Sequence, residues 1–174
     1  MSTSIERPRI ASHITRTRFL HVEDSLAHRK LRLFIGAYEQ GHGASATAFA
    51  FLDLNDARVL LSDMSWGKQI DYCDYKGGKD SDGKVTSRVL KIQFKAEQGK
   101  GGRFWIEIQN GPGEMVGPNG VKPSGKPLAD ISIPFTIFEV RKFAHACLAY
   151  IQVWDTRHLL WGSESEQQSV GSDQ

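Results

Sequence analysis

Between residues 84 and 103 six basic side chains, Lys84, Arg88, Lys91, Lys95, Lys100 and Arg103, stand against one acid, Glu97, and the stretch runs straight into Phe104 and Trp105. Cations spaced along an extended chain can follow a line of phosphates, and flat rings offer unstacked bases a surface, each stacked base contributing ~1–3 kcal/mol. The chain as a whole carries a formal charge of only +2, so attraction for a polyanion has to come from placement, not from total charge. A plainer account is open at this point: lysine and arginine solvate an exposed sheet face, and the rings are core beneath a loop or a partner.

Signatures of catalysis are missing from the text. There is no Gly-x-Ser-x-Gly, no phosphate loop and no His-Glu-x-x-His, so a protein that is not an enzyme and carries no cofactor is expected. The run "DSDG" at 80–83 matches the start of a calcium loop but lacks its downstream acids, and a hairpin turn is the better reading. His42, His145 and His158 have no second ligand at metal spacing, and no metal site is expected. Cys73 and Cys147 are too few for a disulfide framework; Cys73 reads as a small strand residue and Cys147 as core. No apolar run reaches the ~20 residues of a membrane span, and no signal-peptide core follows the start. A cytoplasmic, nucleoid-associated location is expected, with organellar targeting left open by the Ser-, Thr- and Arg-rich opening, against which Glu6 argues.

The elements that must position these groups are mostly strands. Period-two alternation runs through "KLRLFIGAY", "ASATAFAFLDL", "ARVLLSDM", "IDYCDY", "TSRVLKIQFKA", "GRFWIEIQN" and "DISIPF", with Gly-, Asn- and Asp-rich turns between them, which predicts antiparallel hairpins. Residues 110–129, rich in Gly and Pro, read as a long mobile loop or an extended hairpin tip. A capping box, Thr136 with Glu139, opens a helix from Ile137 to Trp154 whose apolar stripe spans roughly 160°, wider than the ~100° a surface helix needs. Either one large core or a sheet on one side and a second subunit on the other accounts for that width. The expected organisation is a disordered basic arm over 1–25, one domain over 26–160 and a disordered acidic tail over 161–174. The fold class is α+β, mostly antiparallel.

Alternation also assigns faces. Leu31, Leu33 and Ile35 point one way, and Arg32, Phe34 and Tyr38 the other; Ala48, Ala50 and Leu52 oppose Phe49 and Phe51. Leu90, Ile92 and Phe94 oppose Lys91, Gln93 and Lys95, and Phe104, Ile106 and Ile108 oppose Arg103 and Trp105. One sheet surface carrying rings and cations together is therefore expected. On it phosphates would meet Arg32, Lys76, Lys91, Lys95 and Arg103, and bases would stack on Phe34, Tyr38, Phe49 and Trp105.

The segments "DYCDYKGGKDSDGKVTSRVLKIQF", "GGRFWIEIQN" and "ISIPFTIFEVRKFAHACLAYIQVW" resemble the second half of the Whirly family, single-stranded DNA-binding proteins known chiefly from plants. The likeness covers about residues 70 to 154 and rests on the Lys-Gly turn at Lys76–Gly77, "GKV" at 83–85, "VLK" at 89–91, Gln109–Asn110, Ile133–Pro134 and Trp154. It implies two antiparallel sheets packed across each other, a long C-terminal helix, helices gathered at the interface of a dimer or tetramer, and single-stranded DNA lying along and between the sheets. The family's KGKAAL motif has no counterpart in "YEQGHGASATAF", and residues 57–70 are expected to be too short to hold the family's first helix along with its strands. An RNA-binding chaperone on the same architecture and a protein-interaction module are the competing expectations.

Overall fold

The computed structural model describes residues 7–39, 41–79, 82–97, 101–118 and 120–167, with side chains to residue 160. Two halves repeat one plan, antiparallel strands followed by a helix. The first half is β1 (Arg9–Ile14), β2 (Arg18–Ser25), β3 (Lys30–Glu39), β4 (Gly43–Asp53) and α1 (Leu54–Ser65). The second is β5 (Asp71–Lys79), β6 (Val85–Glu97), β7 (Gly101–Val116), β8 (Gly120–Pro123), β9 (Ala129–Phe135) and α2 (Ile137–Gln167). The N-terminal sheet has the order β1-β2-β3-β4; the C-terminal sheet has the order β5-β6-β7, and β7 is long enough to pair with β9 through Phe104–Asn110 and with β8 through Gly113–Val116. The α+β class with two antiparallel sheets and a C-terminal helix is as the sequence indicates.

Three expectations need correction. Residues 9–25 are two strands of the N-terminal sheet, so the domain begins near Arg9 and not at 26. Only Leu20 and Val22 of β2 enter the core, while Phe19, His21 and Glu23 face outward; so few apolar positions among Arg, Thr and His hide a real alternation. Second, "ARVLLSDM" belongs to α1, where Leu54, Ala57, Leu60, Leu61 and Met64 fall on one buried stripe at helical spacing. The first half therefore holds its helix in full. Third, α2 continues to Gln167, well into the presumed tail, since no proline interrupts 137–167; residues 168–174 lie outside the described residues. The Gly- and Pro-rich stretch resolves as the extended hairpin β7–β8, in which Val121 plugs a gap left by glycine: a Cβ on Gly77 would sit 2.6 Å from its Cγ1, and one on Gly113 at 2.7 Å.

Capping chemistry differs between the helices. Thr136 and Glu139 form the box reciprocally, Thr136 N–H donating to Glu139 Oε2 at 2.8 Å and Glu139 N–H to Thr136 Oγ1 at 3.2 Å. The Thr136 amide, opposed by partial burial, holds the Glu139 carboxyl below its ordinary range. Asp53 occupies the cap position of α1 but makes no capping bond, because its carboxylate accepts from Lys76 Nζ at 2.7 Å. The helices run antiparallel, tied by Arg58 to both oxygens of Asp155 at 2.7 and 2.8 Å and by Arg141 Nε to Ser65 O at 3.0 Å.

One core fills the space between the sheets' inner faces and the helices: Leu33, Ile35 and Ala50 from one sheet, Phe104, Ile106 and Ile133 from the other, and Val140, Ala144 and Cys147 from α2. Burial drives the Cys147 thiol up to about 12, so it behaves as a small apolar group. The sheets are joined at the outer edge of β4. Asn110 of β7 accepts from Phe49 N–H at 2.8 Å and donates to Phe49 O at 2.8 Å, so one side-chain amide takes the place of a neighbouring strand. Lys76 donates to Phe51 O at 3.1 Å just beyond. Truncation by Asn110→Ala leaves both Phe49 groups without their partner, and a loss of about 1–3 kcal/mol is expected; an unchanged urea midpoint would show that the joint carries no stability.

Candidate nucleic-acid interface

The outer face of the N-terminal sheet carries rings in a continuous path across its strands. Phe19 and His21 come from β2, Phe34 and Tyr38 from β3, and Phe49 and Phe51 from β4; register pairs His21 with Phe34 and Phe34 with Phe49. Ring centroids are 4.7 Å apart for Phe19 and His21, 5.6 Å for Phe19 and Phe34, and 6.3 Å for Phe19 and Tyr38. Phe49 and Phe51 meet edge-to-face at 5.8 Å. The Arg32 guanidinium lies 5.0 Å from the Phe34 centroid and 4.8 Å from that of Phe49, bridging the two rings by cation–π contact.

A second guanidinium completes this cluster. Arg88 of β6 has the inward parity of Leu90 and Ile92, but it sits at the end of the inner face, where the sheets part, and reaches the Phe49 ring at 4.8 Å. Burial pulls its pKa below the ordinary arginine value, and no carboxylate pairs with it among the described residues. A half-buried cation with a ring for a neighbour and no acid is a place where an incoming anion recovers lost solvation.

The outer face of the C-terminal sheet is different. Lys91 donates to Glu107 Oε1 at 2.7 Å, and that same oxygen accepts from Gln109 at 2.8 Å. The Glu107 hydrogen bond, against some loss of solvation, holds the Lys91 ammonium above its ordinary value. Gln93 donates to Asp71 at 2.9 Å, and Gln109 reaches Asp130 at 3.2 Å. Arg103 pairs with Glu97 at 3.5 Å. Lys95 stands over the Trp105 ring at 5.7 Å, and Trp105 lies in register between Gln93 and Pro134.

The nine residues expected on one surface thus fall into three groups. Arg32, Phe34, Tyr38 and Phe49 are together on the N-terminal sheet; Lys91, Lys95, Arg103 and Trp105 are together on the C-terminal sheet; Lys76 is in neither group. It lies on the inward side of β5 between Asp53 at 2.7 Å and Asp74 at 2.9 Å, and these carboxylates hold its charge against burial. Counting acids along residues 84–103 missed Glu107, which strand pairing sets opposite Lys91, and Asp71 and Asp130, which it sets opposite Gln93 and Gln109. Phe19, His21 and Arg88 were not singled out. The alternation of Leu20 and Val22 could have found the first two, whereas nothing local marks Arg88.

No family model, curated protein or solved structure matches the chain. No helix among the described residues is long and apolar enough to cross a membrane.

His21 is only 9% exposed, and Ser12 Oγ lies 2.9 Å from its Nδ1. Burial and then the charge of Arg9 lower its pKa from the ordinary 6.5, opposed by Glu23. The folded chain therefore binds this proton less readily than the unfolded chain does, and stability present above pH 6.5 is lost as pH falls through the depressed folded value. Denaturation at several pH values should show that acid-side loss in the parent and a shallower slope in His21→Gln; identical slopes would mean that other groups set it.

Proposed function

We propose that the chain binds single-stranded nucleic acid, foremost single-stranded DNA with little sequence readout, across the outer face of the N-terminal sheet and into the crevice where the sheets part. The observation that carries this reading is Arg88, a half-buried guanidinium without an acid among the described residues, set against Phe49 at the end of the ring path. A polynucleotide supplies what this surface needs, phosphate for the cation and bases for the rings. Support also comes from the resemblance of residues 70–154 to the Whirly family and from a plan of two antiparallel sheets, of four and five strands, each followed by a helix. DNA maintenance or transcription is the setting such a protein would serve.

The C-terminal sheet contributes less on this reading. Lys91 and Arg103 already have carboxylates, and a phosphate has to displace Glu107 to reach Lys91, so the gain is small. Lys95 lies over Trp105 on that face and has no ion pair among the described residues, and the two extend the surface for a longer strand. In gel-shift titrations with dT oligomers at two salt concentrations, affinity should fall steeply as salt rises. Arg88→Gln should weaken binding and reduce the salt slope by about one, and Phe49→Ala should weaken it with the slope kept. Lys91→Ala should change little. Affinity indifferent to salt, or equal in all variants, would sink the proposal; tighter binding to matched RNA than to DNA would redirect it to the RNA-binding chaperone.

Self-association through the helices is part of the same proposal. Trp66 at the end of α1 is 76% exposed and Phe138 in the first turn of α2 is 70% exposed. The Cβ that Gly67 lacks would meet Ile137 Cγ2 at 3.2 Å, which puts these ends side by side. Val59, Val153 and Leu159 continue exposed apolar surface along the helices. Large apolar side chains grouped on one layer mark a protein contact, and a second copy forming a dimer or tetramer is the occupant proposed. Light scattering should report an oligomer for the parent and a smaller species for Trp66→Ser with Phe138→Ser; a parent that is monomeric at high concentration would rule it out.

A further inference from the structure

An open groove of about 500 Å³ lies at the far end of the ring path, between the β1–β2 and β3–β4 hairpins. Its floor is Phe19, and the ring is laid flat because Gly36 beneath it has no side chain: a Cβ there would sit 2.3 Å from Phe19 Cζ and 2.4 Å from Cε1. The rings beside it share its tilt, His21 within 25° and Tyr38 within 30°. Both are anchored, His21 by Ser12 and Tyr38 by its hydroxyl, which donates to Thr15 O. A polar aromatic edge and a flat ring face therefore meet in one recess, with Arg9 on its wall and Glu39 at its rim. At its mouth Gly41 and Gly43 have φ of 88° and 74°, and a Cβ on either would touch nothing among the described residues.

We infer that this groove holds one unpaired nucleobase, stacked on Phe19 and edged by His21, with its phosphate toward Arg9. The inference rests on the strand-binding reading, since Phe19 connects at 5.6 Å to Phe34 and so to the Arg32–Phe49–Arg88 cluster. A base suits the recess because Phe19, laid over Gly36 and stacked with His21 at 4.7 Å, already forms an aromatic layer to which one further planar guest can be added. The groove is a walled position on the path; it fixes the register of the strand and favours a free base over a paired one.

The test uses the full chain and the shortest dT oligomer that it binds, with a single abasic position moved from one end to the other. One position near an end should weaken binding about 5- to 100-fold, the range a stacked base gives, and the others much less. Ala44 is exposed on the groove wall, so Ala44→Trp fills the recess without touching the core. In that variant, and in Phe19→Ala if its melting is native, the difference between positions should vanish. Equal penalties along the oligomer, or a penalty that survives in Ala44→Trp, overturn the groove and leave strand binding standing. Failure of the parent to bind any single strand overturns the reading beneath it instead.

Discussion

The outer edge of β4 is the constraint on which the rest of the structure depends. An edge strand presents backbone groups that must find partners, and here they face the other sheet, where water cannot serve them all. The chain meets this with side chains: the Asn110 amide matches the Phe49 N–H and C=O as a backbone would, and Lys76 takes the next outward carbonyl, that of Phe51. This geometry fixes the angle at which the sheets meet. It also holds Phe49 and Phe51 in place, since their backbones are pinned on both sides, by β3 and by the C-terminal half. Asp53 shows the cost of the arrangement, giving up the cap of α1 to neutralise the lysine that the joint requires.

Charge follows the same logic of neighbours. On the outer face of the C-terminal sheet strand pairing sets Lys91 against Glu107, which Gln109 links on to Asp130, while Gln93 and Asp71 form a separate pair beside them. Such a face is soluble and resists edge pairing, and its potential is muted. Arg32 on the N-terminal sheet is also paired, with Glu23, yet its guanidinium plane still lies against two rings. The two faces therefore differ in emphasis despite similar composition: on one, ion pairs and amides dominate beside a single Lys95–Trp105 contact, and on the other a path of rings runs beside Arg32 and Arg88.

Much of this was legible in the sequence, because alternation is local. The inward sets Leu31–Leu33–Ile35, Ala48–Ala50–Leu52 and Phe104–Ile106–Ile108 are buried as their period predicts, and the Thr136–Glu139 box forms as its spacing predicts. What failed was local text with two meanings or no local meaning. "ARVLLSDM" is too short to tell period two from 3.6, and only the buried Leu54 before it completes the helical stripe. The β1–β2 hairpin has polar residues on its outer face and two core residues in β2, which reads as a basic arm when composition is weighed before phase. Arg88 could not be read at all: its parity says core, and its role comes from lying at the strand's end, opposite a ring 39 positions away in the chain.

Glycine decides where a ring can serve as a platform. Phe19 lies on Gly36 and Phe94 on Gly102, each at a distance no Cβ would allow, so in both sheets an aromatic side chain covers a bare patch of backbone. The outcomes differ because the faces differ. Phe94 has inward parity and packs edge-to-face on Phe104 at 5.2 Å, so its ring is absorbed into the border of the core. Phe19 has outward parity, and the same device leaves its second face turned to an open groove. Two similar local devices thus give core packing in one sheet and a ring beside an open groove in the other, according to the side of the pleat on which the ring falls.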